Sequence, residues 1–159
     1  SSDKDLLQLV DQRIQVIPPV KAAVPFGPLE VRGKMGVDPE QVVDLLALMG
    51  DTADNIPGVP GIGPKIAAQL LAGYRTLENL WNGLDRVGSE RVRNLLQTHR
   101  AAVERNVELM RLRTDLPDLP AVDQLASRRP DLPGLVRFLE ERDLHSVAKL
   151  YQEMELELF

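Results

Sequence analysis

A chain of 159 residues with 43% apolar and 27% charged side chains can bury one core and carry a small appended lobe. No stretch of it reads as a membrane span or as a basic-then-apolar signal segment, and the absence of cysteine excludes disulfides, thiolate metal sites and thiol nucleophiles. The net charge of −5 is unevenly spread: residues 1–54 carry five Lys/Arg against nine Asp/Glu, residues 55–113 nine against five, and residues 114–159 five against ten. Local charge decides where a polyanion docks, so the middle block keeps a nucleic-acid partner open.

In chain order, Leu6, Leu7, Leu9 and Val10 predict a short amphipathic helix capped near Ser2 or Asp3. Arg13 to Ile17 alternates like a strand, and Pro18-Pro19 ends it. Residues 20–28 read as loop or hairpin, and Leu29 to Lys34 as a short helix running to Gly36. Asp38-Pro39-Glu40 opens a helix with proline at its first position, followed by Val42, Val43, Leu45, Leu46, Leu48 and Met49. A turn-rich segment at 55–64 leads into a helix with Ile66, Ala67, Leu70 and Leu71, which stops at Gly73. Thr76 to Trp81 predicts a short helix, Ser89 caps a longer one with Val92, Leu95 and Leu96, and a further helix runs from about His99 to Leu112. Leu116 to Pro120 reads as an extended link, Asp131-Leu-Pro as a helix start, and Ser146 to Met154 as the closing helix. The class is mostly helical with little sheet.

Chemistry concentrates between Gly50 and Ala68, which reads GDTADNIPGVPGIGPKIAA. Asp51 and Asp54, three residues apart, share a face of one turn, and Asp3 and Asp5 put two more carboxylates within reach of one cation. Four converging carboxylates suit Mg²⁺ or Mn²⁺, and two such ions can activate water against a phosphodiester. The plainer reading, caps and turn aspartates, has comparable weight from spacing alone. Gly61-Ile62-Gly63 is a tight turn opening a helix at Pro64-Lys65, where free N–H groups favour an anion. A dinucleotide-binding reading fails because no hydrophobic strand precedes it. His99 and His145 lie in helical stretches far from the acids, and the sparse aromatics, Trp81 among them, read as core.

Gly50 to Lys65 resembles the signature of the 5′-nuclease family: the 5′→3′ exonuclease domain of bacterial DNA polymerase I, stand-alone exonucleases and flap endonucleases. Ser2 to Val10 resembles that family's preceding acidic motif, Val37-x-Pro39 and Asp44 to Gly50 its approach helix, and Arg111 to Pro117 the segment after its DNA-binding helices. Ile66 stands where threonine is frequent in the family, and Met35 where tyrosine is. The resemblance implies the α-rich part of an α/β, PIN-like nuclease domain: nuclease core over 1–54 and, over 55–159, a helical DNA-binding lobe with a helix–three-turn–helix at 55–73. It implies Asp3, Asp5, Asp51 and Asp54 as ligands of Mg²⁺ or Mn²⁺. Gly58, Val59, Gly61, Ile62, Gly63, Lys65 and Ile66, then Arg91 and Arg93, would grip the duplex backbone, with a K⁺ ion held at the Gly61–Gly63 turn. The implied substrate is a DNA duplex with a 5′ end or flap, in the cytoplasmic nucleoid and away from membranes. The family's other acids, central strands and threading arch would precede Ser1, so this half by itself is expected to keep duplex affinity and little nuclease activity. The remainder of the domain, and a fused or separate polymerase, are the implied protein partners. The reading from a different class is a non-catalytic helix–hairpin–helix module that only docks duplex DNA.

Overall fold

Helix α2 (Val42–Met49) is apolar nearly all round, with Val42, Val43, Leu45, Leu46, Ala47 and Leu48 buried, so neighbours must wrap it on every side. The computed structural model describes residues 1–21, 23–125 and 131–157. Within them α2 is enclosed by α3 (Pro64–Tyr74) and α5 (Glu90–Met110), and by a 3-10 turn over Asp5–Leu9. Ala67, Leu70 and Leu71 face inward from α3, and Leu96, Val103, Asn106 and Met110 from α5. Helix α1 (Pro28–Met35) contributes Val31, and α4 (Leu77–Asn82) contributes Leu77 and Leu80. Complete burial of a leucine such as Leu46 is worth about 1.5–3 kcal/mol.

Polar side chains fix the joints. The one acid of α2, Asp44, accepts the Leu77 N–H at 3.1 Å, and Thr76 and Ser89 cap α4 and α5. Gln41, buried just before α2, donates from Nε2 to Leu71 O at 3.0 Å and Arg75 O at 2.8 Å, closing the C-terminus of α3. Between α2 and α3 the chain forms a two-stranded antiparallel hairpin, β1 (Gly50–Asp51) with β2 (Ile56–Pro57), in which Gly50 faces Pro57 and Asp51 faces Ile56.

The described chain divides at Thr114 and Asp115 into two compact units. The second holds α6 (Leu132–Glu140) and α7 (His145–Glu157), which pack on each other through Val136, Leu139 and Ala148. Asp131 caps α6 by accepting the Gly134 N–H at 2.9 Å. No helix among the described residues is long and apolar enough to cross a membrane.

Three expectations are corrected. The N-terminal apolar cluster forms a 3-10 turn, not an α-helix. The segment 13–17 makes one bridge, Val16 with Phe26, because Asp11 Oδ1 takes the N–H groups of Arg13 and Ile14 that a ladder would need. The two helices expected over 89–112 are one continuous α5, since Thr98 and His99 bond back to Asn94 O and Leu95 O instead of capping a new helix.

Candidate metal and nucleic-acid site

The hairpin carries both halves of the site, and its geometry depends on two glycines. Gly50 and Gly58 cross so closely that a Cβ on Gly58 would sit 2.1 Å from Met49 C and 2.4 Å from Gly50 N. Only glycine allows that crossing, which holds the strands at the end of α2. Asn106 of α5 braces the same point, donating from Nδ2 to Ala47 O at 3.2 Å and to Pro57 O at 2.9 Å.

On the acid side, carboxylate oxygens of Asp5, Asp51 and Asp54 lie within 4.8 Å of one another. Asp51 is 3% exposed, with Oδ1 accepting the Ala53 N–H at 2.9 Å and Oδ2 lying 2.5 Å from Lys4 Nζ. Asp5 arrives on the 3-10 turn, whose position Gln8 fixes by donating to Met110 O and accepting from Leu112 N at the end of α5. Asp3 is exposed and turns back on its own chain, its Oδ1 accepting the Asp5 N–H at 2.9 Å; its oxygens are not in the convergence.

The electrostatics follow this packing. Burial, then the charge of Asp3, pushes the Asp5 carboxyl above the ordinary 3.8. Burial also pushes Asp51 upward, but the Lys4 ammonium and the Ala53 N–H outweigh it and hold Asp51 below 3.8. Among the described residues, Asp51 Oδ2 pairs with the Lys4 ammonium, and buried Asp5 Oδ1 has no hydrogen-bond partner. Buried acceptors left without donors are costly, and hard oxygens with spare lone pairs suit Mg²⁺ or Mn²⁺. The three carboxylates fit such an ion.

On the glycine side, Val59 and Ile62 are buried anchors, and the Val59 N–H bonds back to Leu48 O at 2.8 Å. Between them Gly61 adopts φ +83°, exposed, with the Arg91 guanidinium beside it: Nη2 lies 3.2 Å from where a Cβ would stand. Gly63 caps α3 with no side chain, Pro64 follows, and Lys65 and Ile66 supply the first N–H groups of the helix. Lys65 and Arg91 are exposed at this turn, whereas Arg93 turns inward, donating to Val87 O at 2.9 Å. His99 bonds to Leu95 O and His145 lies 3.5 Å from Asp143, both outside the acid cluster, and Trp81 packs against the core.

Lys4, Gln8 and Asn106 escaped the sequence reading. Asn106 had a signal: it occupies the apolar stripe Leu96, Val103, Asn106, Met110, where a polar residue needs an internal partner. Lys4 and Gln8 had none, because their partners are distant in the chain.

The chain is similar to known proteins in both sequence and fold. The chain is 42% identical over 147 residues to the thermostable DNA polymerase I of Thermus filiformis, covering 92% of this chain and 17% of that protein. It is 38% identical over 149 residues to a 5′-3′ exonuclease of Aquifex aeolicus, covering 94% of this chain and 50% of the relative. This chain therefore spans half or less of these two relatives. Among solved structures, the T5 D15 protein co-crystallised with metal ions superposes with a TM-score of 0.62 at 25% identity, over 69% of this chain and 41% of that one. The family described as 5′-3′ exonuclease, C-terminal SAM fold, matches residues 37–133. On that match and those identities the chain belongs to the 5′-3′ exonuclease family, as its helix-rich C-terminal portion.

Proposed function

We propose that this chain supplies metal-binding carboxylates and the duplex grip of a 5′→3′ exonuclease or flap endonuclease acting on DNA 5′ ends and flaps in replication and repair. The observation that carries this reading is the convergence of Asp5, Asp51 and Asp54, with a buried Asp5 oxygen lacking a hydrogen bond, on the hairpin that leads directly into the glycine turn. A magnesium or manganese ion held there would supply an activated water and charge stabilisation for phosphodiester hydrolysis. Asp51 would be the fixed ligand, because Ala53 and the Gly50–Gly58 crossing hold it, and Asp5 and Asp54 would complete the set. Asp3 stays outside this ligand set, its Oδ1 taken by the Asp5 N–H, and acts on the site through its charge on Asp5.

Val59 and Ile62 anchor the segment Gly58–Ile66 through internal hydrogen bonds, the N–H groups of Gly61, Gly63, Lys65 and Ile66 meet the phosphate backbone, and the Lys65 and Arg91 side chains neutralise phosphates beside them. Main-chain carbonyls of the Gly61–Gly63 turn are the candidate seat of a potassium ion. Backbone contacts of this kind select DNA structure, not sequence. The rest of a nuclease domain, with further acids, is the partner that would complete the metal site, and a fused or separate polymerase is the further partner that the Thermus relative suggests.

The test is Mn²⁺ uptake by the chain, followed by electron paramagnetic resonance, alongside duplex binding in a salt titration. Saturable uptake that Asp51→Asn abolishes is expected, together with steep loss of duplex affinity as salt rises. Indifference to Mn²⁺ with duplex binding intact would leave only the non-catalytic docking module.

A further inference from the structure

The metal-site reading leaves one charged group without a role. Lys4 stands between Asp3 and Asp5, and its ammonium lies 2.5 Å from Asp51 Oδ2 in the same cluster of carboxylates. A carboxylate as buried as Asp51 is strongly destabilising unless an opposite charge or hydrogen bonds replace water. Its Oδ1 is served by the Ala53 N–H, and its Oδ2 by the Lys4 ammonium. The lysine therefore does for the metal-free cluster what a divalent ion would do, using a lone pair that the ion would also need.

We propose that the Lys4 ammonium is the resident cation of the carboxylate cluster, holding Asp51 before a divalent ion arrives and withdrawing when the ion binds. The local structure allows this exchange. The Lys4 backbone is fixed, since its carbonyl accepts the Leu7 N–H at 3.0 Å at the start of the 3-10 turn. Its side chain is 32% exposed, against 2% for Asp51, so the unbranched stem can swing the ammonium into water while the backbone and Asp51 stay in place. A divalent ion on Asp51 would stand close to the Lys4 ammonium, and the repulsion between two cations at that range favours release of the lysine. Metal affinity is thereby set below what the carboxylates alone would give, and the cluster avoids collapse or splaying while it waits.

This inference rests on the metal-site reading, and the experiment separates the two. Mn²⁺ titration of the wild-type chain, Lys4→Met and Asp51→Asn is read by electron paramagnetic resonance, with thermal unfolding of each in chelator. Lys4→Met is expected to bind Mn²⁺ about tenfold more tightly, because an opposing charge in contact with a ligand is gone, and to unfold at lower temperature without metal. A lysine with a purely structural role would also give a lower unfolding temperature in Lys4→Met but would leave Mn²⁺ binding unchanged or weaker, so the Mn²⁺ affinity is the readout that separates the two. In the wild-type chain, where folding is not in question, acetylation of Lys4 followed by mass spectrometry should rise several-fold on adding Mn²⁺, with Lys65 as the internal reference. Unchanged or weaker Mn²⁺ affinity in Lys4→Met, or a Lys4 that Mn²⁺ protects, overturns the inference while leaving the metal site standing. If neither chain takes up Mn²⁺, the metal-site reading fails and this one falls with it.

Discussion

Replacing Asn106 by alanine tests whether α5 holds the carboxylate hairpin in place. Asn106 is 2% exposed, and its Nδ2 supplies hydrogen bonds to two carbonyls, Ala47 O at 3.2 Å and Pro57 O at 2.9 Å. Ala47 O is buried and gains no replacement donor in Asn106→Ala, which costs about 1–3 kcal/mol, while the part-buried Pro57 O can turn to water. The loss should therefore be about 1–3 kcal/mol, a sizeable share of the roughly 5–15 kcal/mol that holds a domain folded. Urea unfolding followed by circular dichroism measures it, as a fall in midpoint with the slope unchanged. Asn106→Asp sharpens the test, since an ionised carboxylate there faces two carbonyl oxygens with nothing to donate. That variant should be less stable than Asn106→Ala at neutral pH and recover on acidification, when the introduced carboxyl becomes a donor. A loss below about 0.5 kcal/mol for Asn106→Ala would refute the bracing role.

Gly58→Ala places a Cβ 2.1–2.4 Å from backbone atoms that cannot move aside, so it should cost about 3 kcal/mol or more, seen as a collapse of the thermal transition. Gly63→Ala meets nothing within 4 Å, so folding should be nearly unaffected while duplex affinity falls, since the added methyl stands where a phosphate would approach; anisotropy with a labelled duplex separates the two effects. Lys65→Ala and Arg91→Ala should each weaken duplex binding equally for all sequences and lower the salt slope by about one. Asp38, held mainly by the Arg32 guanidinium, sits below the ordinary carboxyl value of 3.8 in the folded chain. Its contribution to stability is complete above that unfolded value and is lost as pH falls through the lower folded one, from about pH 4 downward. Asp38→Asn should therefore flatten that part of the acid limb in a pH series of unfolding midpoints.

How much was legible in the sequence varied with the range of the interaction. The apolar run of α2, interrupted by Asp44 alone, the proline-opened start of α3 and the caps at Thr76 and Ser89 are local signals, and each appears where its residues demand. Over 13–17 alternation was misleading, because it reports which side chains could face a core and not which amides are free; Asp11 had already taken two of them. The break expected near His99 failed for a related reason, since no residue there stops a helix and two side chains bond back into it.

The sequence alone determined the presence of acids beside a glycine turn, the basic middle block and the helical class, because composition and short-range periodicity fix these without reference to the rest of the chain. Only tertiary structure decided that Asp5 joins Asp51 and Asp54 while Asp3 turns away, that Lys4 lies among the acids, and that Asn106 and Gln8 anchor the hairpin and the 3-10 turn to α5. Those meetings join residues far apart in the chain. Burying the apolar faces of α2, α3 and α5 together determines them, and no local pattern encodes where such faces finally lock.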